Sequence, residues 1–178
     1  MKNAYAGHLK YSFQLRPHTV ADQAYIGAYQ GIGVGYFNFG NPEELGNPLA
    51  VYLFQGGRIA QFSPRISLNY EWNFGASFGW KPYDEYDNPE NQIIGSKVNA
   101  YLNVNLYLKW ALSPKFDLMI GATGSHFSNG NTQYPNSGLN TVDCKVGWYI
   151  TLTAERMNSP SHGNTLSFLH SPATSATT

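Results

Sequence analysis

Charge is scarce in this chain: only 12% of its 178 residues are Asp, Glu, Lys or Arg, and 11 basic side chains face 11 acidic ones. No basic field exists to hold nucleic acid through its phosphates, so nucleic acid is excluded as a partner. Cysteine is almost absent. The lone Cys144 rules out an internal disulfide and any cysteine-based zinc site, and as a small apolar residue it suits a strand. No stretch approaches the roughly 18 continuous apolar residues of a spanning helix. Met1 is followed by Lys2 and Asn3 rather than by the apolar core of a signal peptide, so export is expected to depend on a signal that this sequence does not contain. His8, His18, His162 and His170 have no partner at metal-like spacing, and neither a metal nor a cofactor is expected. What the chain does have is glycine, 18 residues of it, and 15% aromatics, which together read as one all-β unit.

Alternation supports that reading. From Val98 to Leu112 every even position is apolar, while Asn99, Tyr101, Asn103, Asn105, Tyr107 and Lys109 take odd ones. The same period of two runs from Ile66 to Trp80 and from Val142 to Ala154. Each run exceeds the ~9–11 residues that a tilted strand needs to cross a bilayer, and each has one apolar and one polar face. A transmembrane barrel with apolar residues outward would show this pattern. So would a soluble lipocalin-like barrel whose apolar face surrounds a ligand, because alternation alone does not tell inside from outside. The polar face carries Glu71, Asn103, Asn105, Lys109, Asp143 and Lys145 among glycines, which suits a narrow polar lumen. Trp80 and Trp110 are expected near opposite strand ends, as interfacial girdle residues are. The membrane reading is favoured.

Seven strands are expected, at about 5–15, 23–38, 49–57, 65–80, 97–112, 115–127 and 139–155, the third being the least marked. The connections 81–95 and 128–138 are long and polar, whereas Ser113 and Pro114 leave room only for a tight turn. Bacterial barrels put long loops outside and short turns in the periplasm. On that rule the first strand runs from outside to inside. An upstream strand is therefore expected to be missing, which would make eight in the parent and leave an open seam beside residues 5–15 unless the tail or another chain fills it. Residues 1–155 are expected to form the barrel. The Ser-, Thr- and Pro-rich tail 156–178 is expected to be disordered.

The segment HFSNGNTQYPNSGLN, residues 126–140, carries the chemistry. Two residues apart on a strand share a face, so the His126 imidazole can reach the Ser128 hydroxyl. Continuing the parity of Phe116, Leu118, Ile120 and Ala122 puts both on the apolar, lipid-facing side. Asn140 has the parity of Val142, Cys144 and Val146, so it faces the same way. A polar cluster on that face is costly unless it is used or paired. His126, Ser128 and Asn129, followed by Pro135, Asn136 and Gly138, resemble the His-x-Ser-Asn and Pro-Asn-x-Gly runs of the PagL family, outer-membrane lipid A deacylases also described as acyloxyacyl hydrolases. Where that family has a catalytic glutamate, two residues after the glycine, this chain has Asn140.

The resemblance implies an eight-stranded outer-membrane barrel that hydrolyses an ester-linked acyl chain of lipid A. His126, Ser128 and Asn140 would be the catalytic residues, and Asn129, Gly130 and Asn136 would line the oxyanion hole. The expected partners are lipid A or lipopolysaccharide as substrate and the surrounding outer-membrane lipids, with a homodimer left open. A non-catalytic structural or lipopolysaccharide-binding barrel and a soluble ligand-binding barrel are the alternatives.

Overall fold

A computed structural model of the chain describes residues 4–14, 27–152 and 165–177. The strands are β1 (Ala4–Gln14), β2 (Tyr29–Asn38), β3 (Gly46–Ser63), β4 (Ile66–Trp80), β5 (Val98–Ala111), β6 (Phe116–Ser128), β7 (Leu139–Thr151) and β8 (Thr165–Thr177). Each pairs antiparallel with the next, and β8 pairs with β1, closing an eight-stranded up-and-down barrel. Among the described residues there is no helix.

The count of seven strands is thus corrected to eight, and the eighth comes from the segment expected to be a disordered tail. Unpaired edges on β1 and β7 leave backbone N–H and C=O groups without partners, and any segment long enough to pair with both satisfies them. β8 does so: Leu9 lies opposite Phe168 and Trp148 opposite Phe168 from the other side. Leu169 points inward to Tyr107, Met119 and Tyr149, over Gly147, where a Cβ would come within 2.2 Å of the leucine. β3 is longer than expected, since Gly56 and Gly57 break its alternation without ending its pairing to β4. Residues 23–26 of the expected second strand lie outside the described residues.

The apolar residues point outward. Leu102, Val104, Leu106, Val146 and Trp148 are all exposed on the outer wall, and Val104 is 66% exposed. Between them Asn103, Asn105, Asp143 and Lys145 are buried inside. An apolar-lined ligand barrel is excluded, because the face that would have to line it is on the outside. The lumen is packed instead. Glu71 accepts from Lys10, from the Tyr29 hydroxyl at 3.1 Å and from Asn105 Nδ2 at 3.3 Å, with Lys145 Nζ 3.7 Å away. Lys145 in turn donates to Asn105 Oδ1 at 2.7 Å. Charges withdrawn from water in this way persist when paired and hydrogen-bonded.

Trp80 departs from the girdle expectation. Gly79 has φ +87°, a left-handed conformation that reverses the alternation. Trp80 therefore turns inward and is only 4% exposed, stacked on Phe39 and edge-on to Phe127, with its indole N–H donating to Ser77 Oγ at 2.9 Å. Trp110, at 48% exposed, does face outward. One rim carries the connections 39–45, 81–97 and 129–138, and the opposite rim carries the short turns 64–65 and 112–115.

Candidate active site

The site is built on the last residues of β6 and the first of β7, at the rim with the long connections. Phe127 fixes its orientation. This ring is fully buried in the barrel mouth, with its centroid 5.1 Å from Phe37 and Tyr101 and 5.2 Å from Trp80. Since neighbours in a strand alternate, anchoring Phe127 inside forces His126 and Ser128 to the outer wall. Both are half-buried there. Across the ladder His126 lies opposite Asn140, and Leu139 is buried as Asn140 turns out.

That register brings two of the three expected residues into contact: His126 Nδ1 lies 2.8 Å from Asn140 Oδ1. A carboxamide oxygen only accepts, so Nδ1 carries a proton, and in the neutral ring the lone pair is then on Nε2. Among the described residues no hydrogen bond joins Ser128 Oγ to His126, a spacing that resting sites often show before substrate tightens them. Gly138 lies close against both side chains. It has φ +71°, and a Cβ there would lie 3.1 Å from His126 Cε1, 3.2 Å from the Phe127 carbonyl oxygen and 3.7 Å from Ser128 Cβ. The glycine thus permits both a backbone conformation and a close approach that other residues would disturb.

The connection 129–138 folds back over the end of β6. The Asn129 N–H donates to Asn136 Oδ1 at 3.2 Å, and Asn129 Nδ2 donates to the Gln133 carbonyl at 2.6 Å. The Asn129 amide is therefore already engaged, which leaves Asn136 Nδ2 without a partner among the described residues. Gly130, with φ +66°, faces open space. Asn136 is bridged to Ile94 of the neighbouring connection, and Ser137 Oγ donates to the Gln92 carbonyl at 3.3 Å. Sequence reasoning missed this neighbour. The sequence showed a long polar loop at 81–95, part of the 81–97 connection, and nothing in its composition signals that it abuts the 129–138 turn.

An apolar outer wall, a packed polar lumen and a hydrogen-bonded His/Asn pair at the rim define a transmembrane-type β-barrel with a polar cluster on its outer surface. Comparison with protein families then identifies it further. The chain belongs to the PagL family, lipid A 3-O-deacylases, whose model matches residues 5–149 and so spans β1 to nearly the end of β7. Proteins of that family are outer-membrane β-barrels, and the barrel seen here agrees with that. A search of curated proteins found no match.

Proposed function

We propose that the protein is an outer-membrane esterase that removes an ester-linked acyl chain from lipid A by a serine mechanism, the family's description pointing to the 3-O position. The observation that carries this reading is the His126 Nδ1 to Asn140 Oδ1 hydrogen bond of 2.8 Å on the outer wall, beside Ser128. With Nδ1 so engaged, Nε2 is the ring nitrogen left to act as the base toward an acyl chain lying along the apolar wall.

In this reading Ser128 Oγ attacks the ester carbonyl while Nε2 of His126 takes its proton. The carbonyl oxygen becomes an oxyanion, met by the Asn136 carboxamide N–H and the backbone N–H of Gly130, since the Asn129 N–H is taken by Asn136 Oδ1. Collapse breaks the bond to the sugar oxygen, which leaves with the proton from His126. Water, deprotonated by the same imidazole, then frees Ser128 and releases the fatty acid. Asn140 holds the imidazole by its carbonyl, as asparagine does in Cys-His-Asn sites. No metal or cofactor takes part.

The test is mass spectrometry of lipid A from cells expressing the protein or its Ser128→Ala variant. Loss of one ester-linked chain with the wild type alone supports the proposal. Unchanged lipid A with both, together with no labelling of Ser128 by a serine-directed phosphonate, would leave a non-catalytic barrel as the better account.

A further inference from the structure

Asn91 lies in the middle of a polar, exposed loop, yet it is fully buried. All its hydrogen-bonding capacity is directed at backbone. Its Oδ1 accepts from the N–H groups of Ile93 and Ile94, each at 3.0 Å. Its Nδ2 donates to the carbonyls of Lys81 at 2.7 Å and Glu44 at 3.4 Å. One carboxamide thus joins the two ends of the 81–97 connection to each other and to the 39–45 connection.

What that hub holds is the neighbour of the site. Ile94 is buried in the cluster that also holds Leu45, Trp80 and Phe127, its carbonyl accepts from Tyr83 N–H at 2.8 Å, and it forms the antiparallel bridge to Asn136. Next to it Gly95 meets the catalytic-side turn so closely that a Cβ would lie 2.6 Å from the Pro135 carbonyl oxygen and 2.7 Å from the Tyr134 carbonyl carbon. From there the path is short: Asn136 Oδ1 accepts from Asn129 N–H, the residue after Ser128. A buried amide with every bond made is a rigid part, because each bond lost would leave an unsatisfied group.

We propose that Asn91 is a positioning residue for the oxyanion side of the site, holding Ile94 against Asn136 so that the Asn136 carboxamide and the 129–130 turn stay at the spacing a tetrahedral intermediate needs. The inference rests on the esterase reading above. It makes the 81–97 connection a brace for the reaction, though none of its residues touches the reacting atoms. A shift of about 1 Å in such donors costs roughly 10²-fold in turnover while binding of the acyl chain along the wall is untouched.

The experiment compares wild type, Asn91→Ala and Gly95→Ala as refolded full chains in detergent, with kcat and KM for lipid A deacylation counted per folded barrel. Amide hydrogen exchange is followed at Asn129 and across 131–138. Gly95→Ala reaches the same turn by pushing on Pro135 and leaves the Asn91 bonds in place, so it stands in should Asn91→Ala fail to fold. The expected result is a kcat lowered tenfold to a hundredfold with KM within about twofold, and faster exchange at Asn129 while the strand amides of β6 and β7 stay protected. An unchanged kcat in folded variants, or unchanged exchange at Asn129, overturns the proposal. If the wild type itself deacylates nothing, the esterase reading fails, and the exchange comparison alone decides whether Asn91 holds the turn.

Discussion

The barrel contains two polar clusters in apolar surroundings, and they are built on opposite terms. Inside, Glu71, Lys10, Lys145, Asn105 and Tyr29 satisfy one another, and the carboxylate accepts from lysine, tyrosine and asparagine at once. At the rim, the His126 and Asn140 pair makes one hydrogen bond, and among the described residues the imidazole Nε2, the Ser128 hydroxyl and the Asn136 Nδ2 make none. Both clusters cost desolvation. The inner one is offset by its own members and so specifies packing, whereas the outer one keeps valences that solvent or an incoming molecule can fill. Completeness of hydrogen bonding, rather than the presence of charge, separates scaffold from site.

The sharpest way to break this comparison is to remove a member of each cluster and ask which property fails. Ser128→Ala and His126→Ala should each abolish lipid A deacylation, a loss of roughly 10⁴-fold or more, and the double variant should be no worse than either, because the two act as one unit. Both variants should still fold, as heat-dependent gel mobility will report. Activity persisting in Ser128→Ala would exclude the serine mechanism. Glu71→Ala should do the reverse, leaving Lys10 and Lys145 buried without their carboxylate at a cost of about 3–5 kcal/mol, read as a lower urea midpoint. If it lowered turnover per folded barrel instead, the two clusters would be coupled and the division between scaffold and site would be wrong.

Asn140 tests the outer cluster more finely. Asn140→Ala removes the acceptor at Nδ1 and should lower turnover by about 10-fold, a smaller loss than that of the proton acceptor itself. Asn140→Glu brings a carboxylate, on a side chain one methylene longer, to the Nδ1 side of the imidazole and should raise turnover, since a negative charge would stabilise an imidazolium formed in the transition state. Equal rates in all three proteins would mean that the 2.8 Å contact orients nothing of consequence.

Much of this was legible in the sequence because a period of two is a local property. Val98 to Leu112 and Val142 to Ile150 gave their faces directly, and with them the outward parity of His126, Ser128 and Asn140. Parity permitted the partnership of His126 with Asn140 and the resemblance to the family's third catalytic position singled Asn140 out, while the register that makes the contact is seen only in the structure. What stayed hidden depends on distant contacts. Trp80 turns inward through the single backbone conformation of Gly79. β8 pairs because β1 and β7 offer open edges, not because of its own pattern. Asn91 looks like any turn-forming asparagine until the loops around it close.

The smallest effect is expected where a polar group is complete but lies in water. The Asp84 carboxylate accepts from the N–H groups of Tyr86 at 2.9 Å and Asp87 at 3.0 Å, at the exposed tip of the 81–97 connection. Those backbone hydrogen bonds favour the ionised form, Asp87's first and then Tyr86's, and hold its pKa below the ordinary carboxylate value. A folded-state pKa lowered in this way contributes stability that is present above the unfolded value, near about 4, and is lost as pH falls through the lower folded value. The tip of the loop should therefore loosen only in strongly acidic solution, seen as faster exchange at Tyr86 and Asp87 once corrected for the intrinsic pH dependence. Asp84→Asn should abolish that acid transition while changing neutral-pH turnover by less than about twofold, because solvent competes for every bond the side chain makes. A large loss of turnover in Asp84→Asn would mean that the tip, and not only the buried Asn91 beneath it, belongs to the working part of the rim.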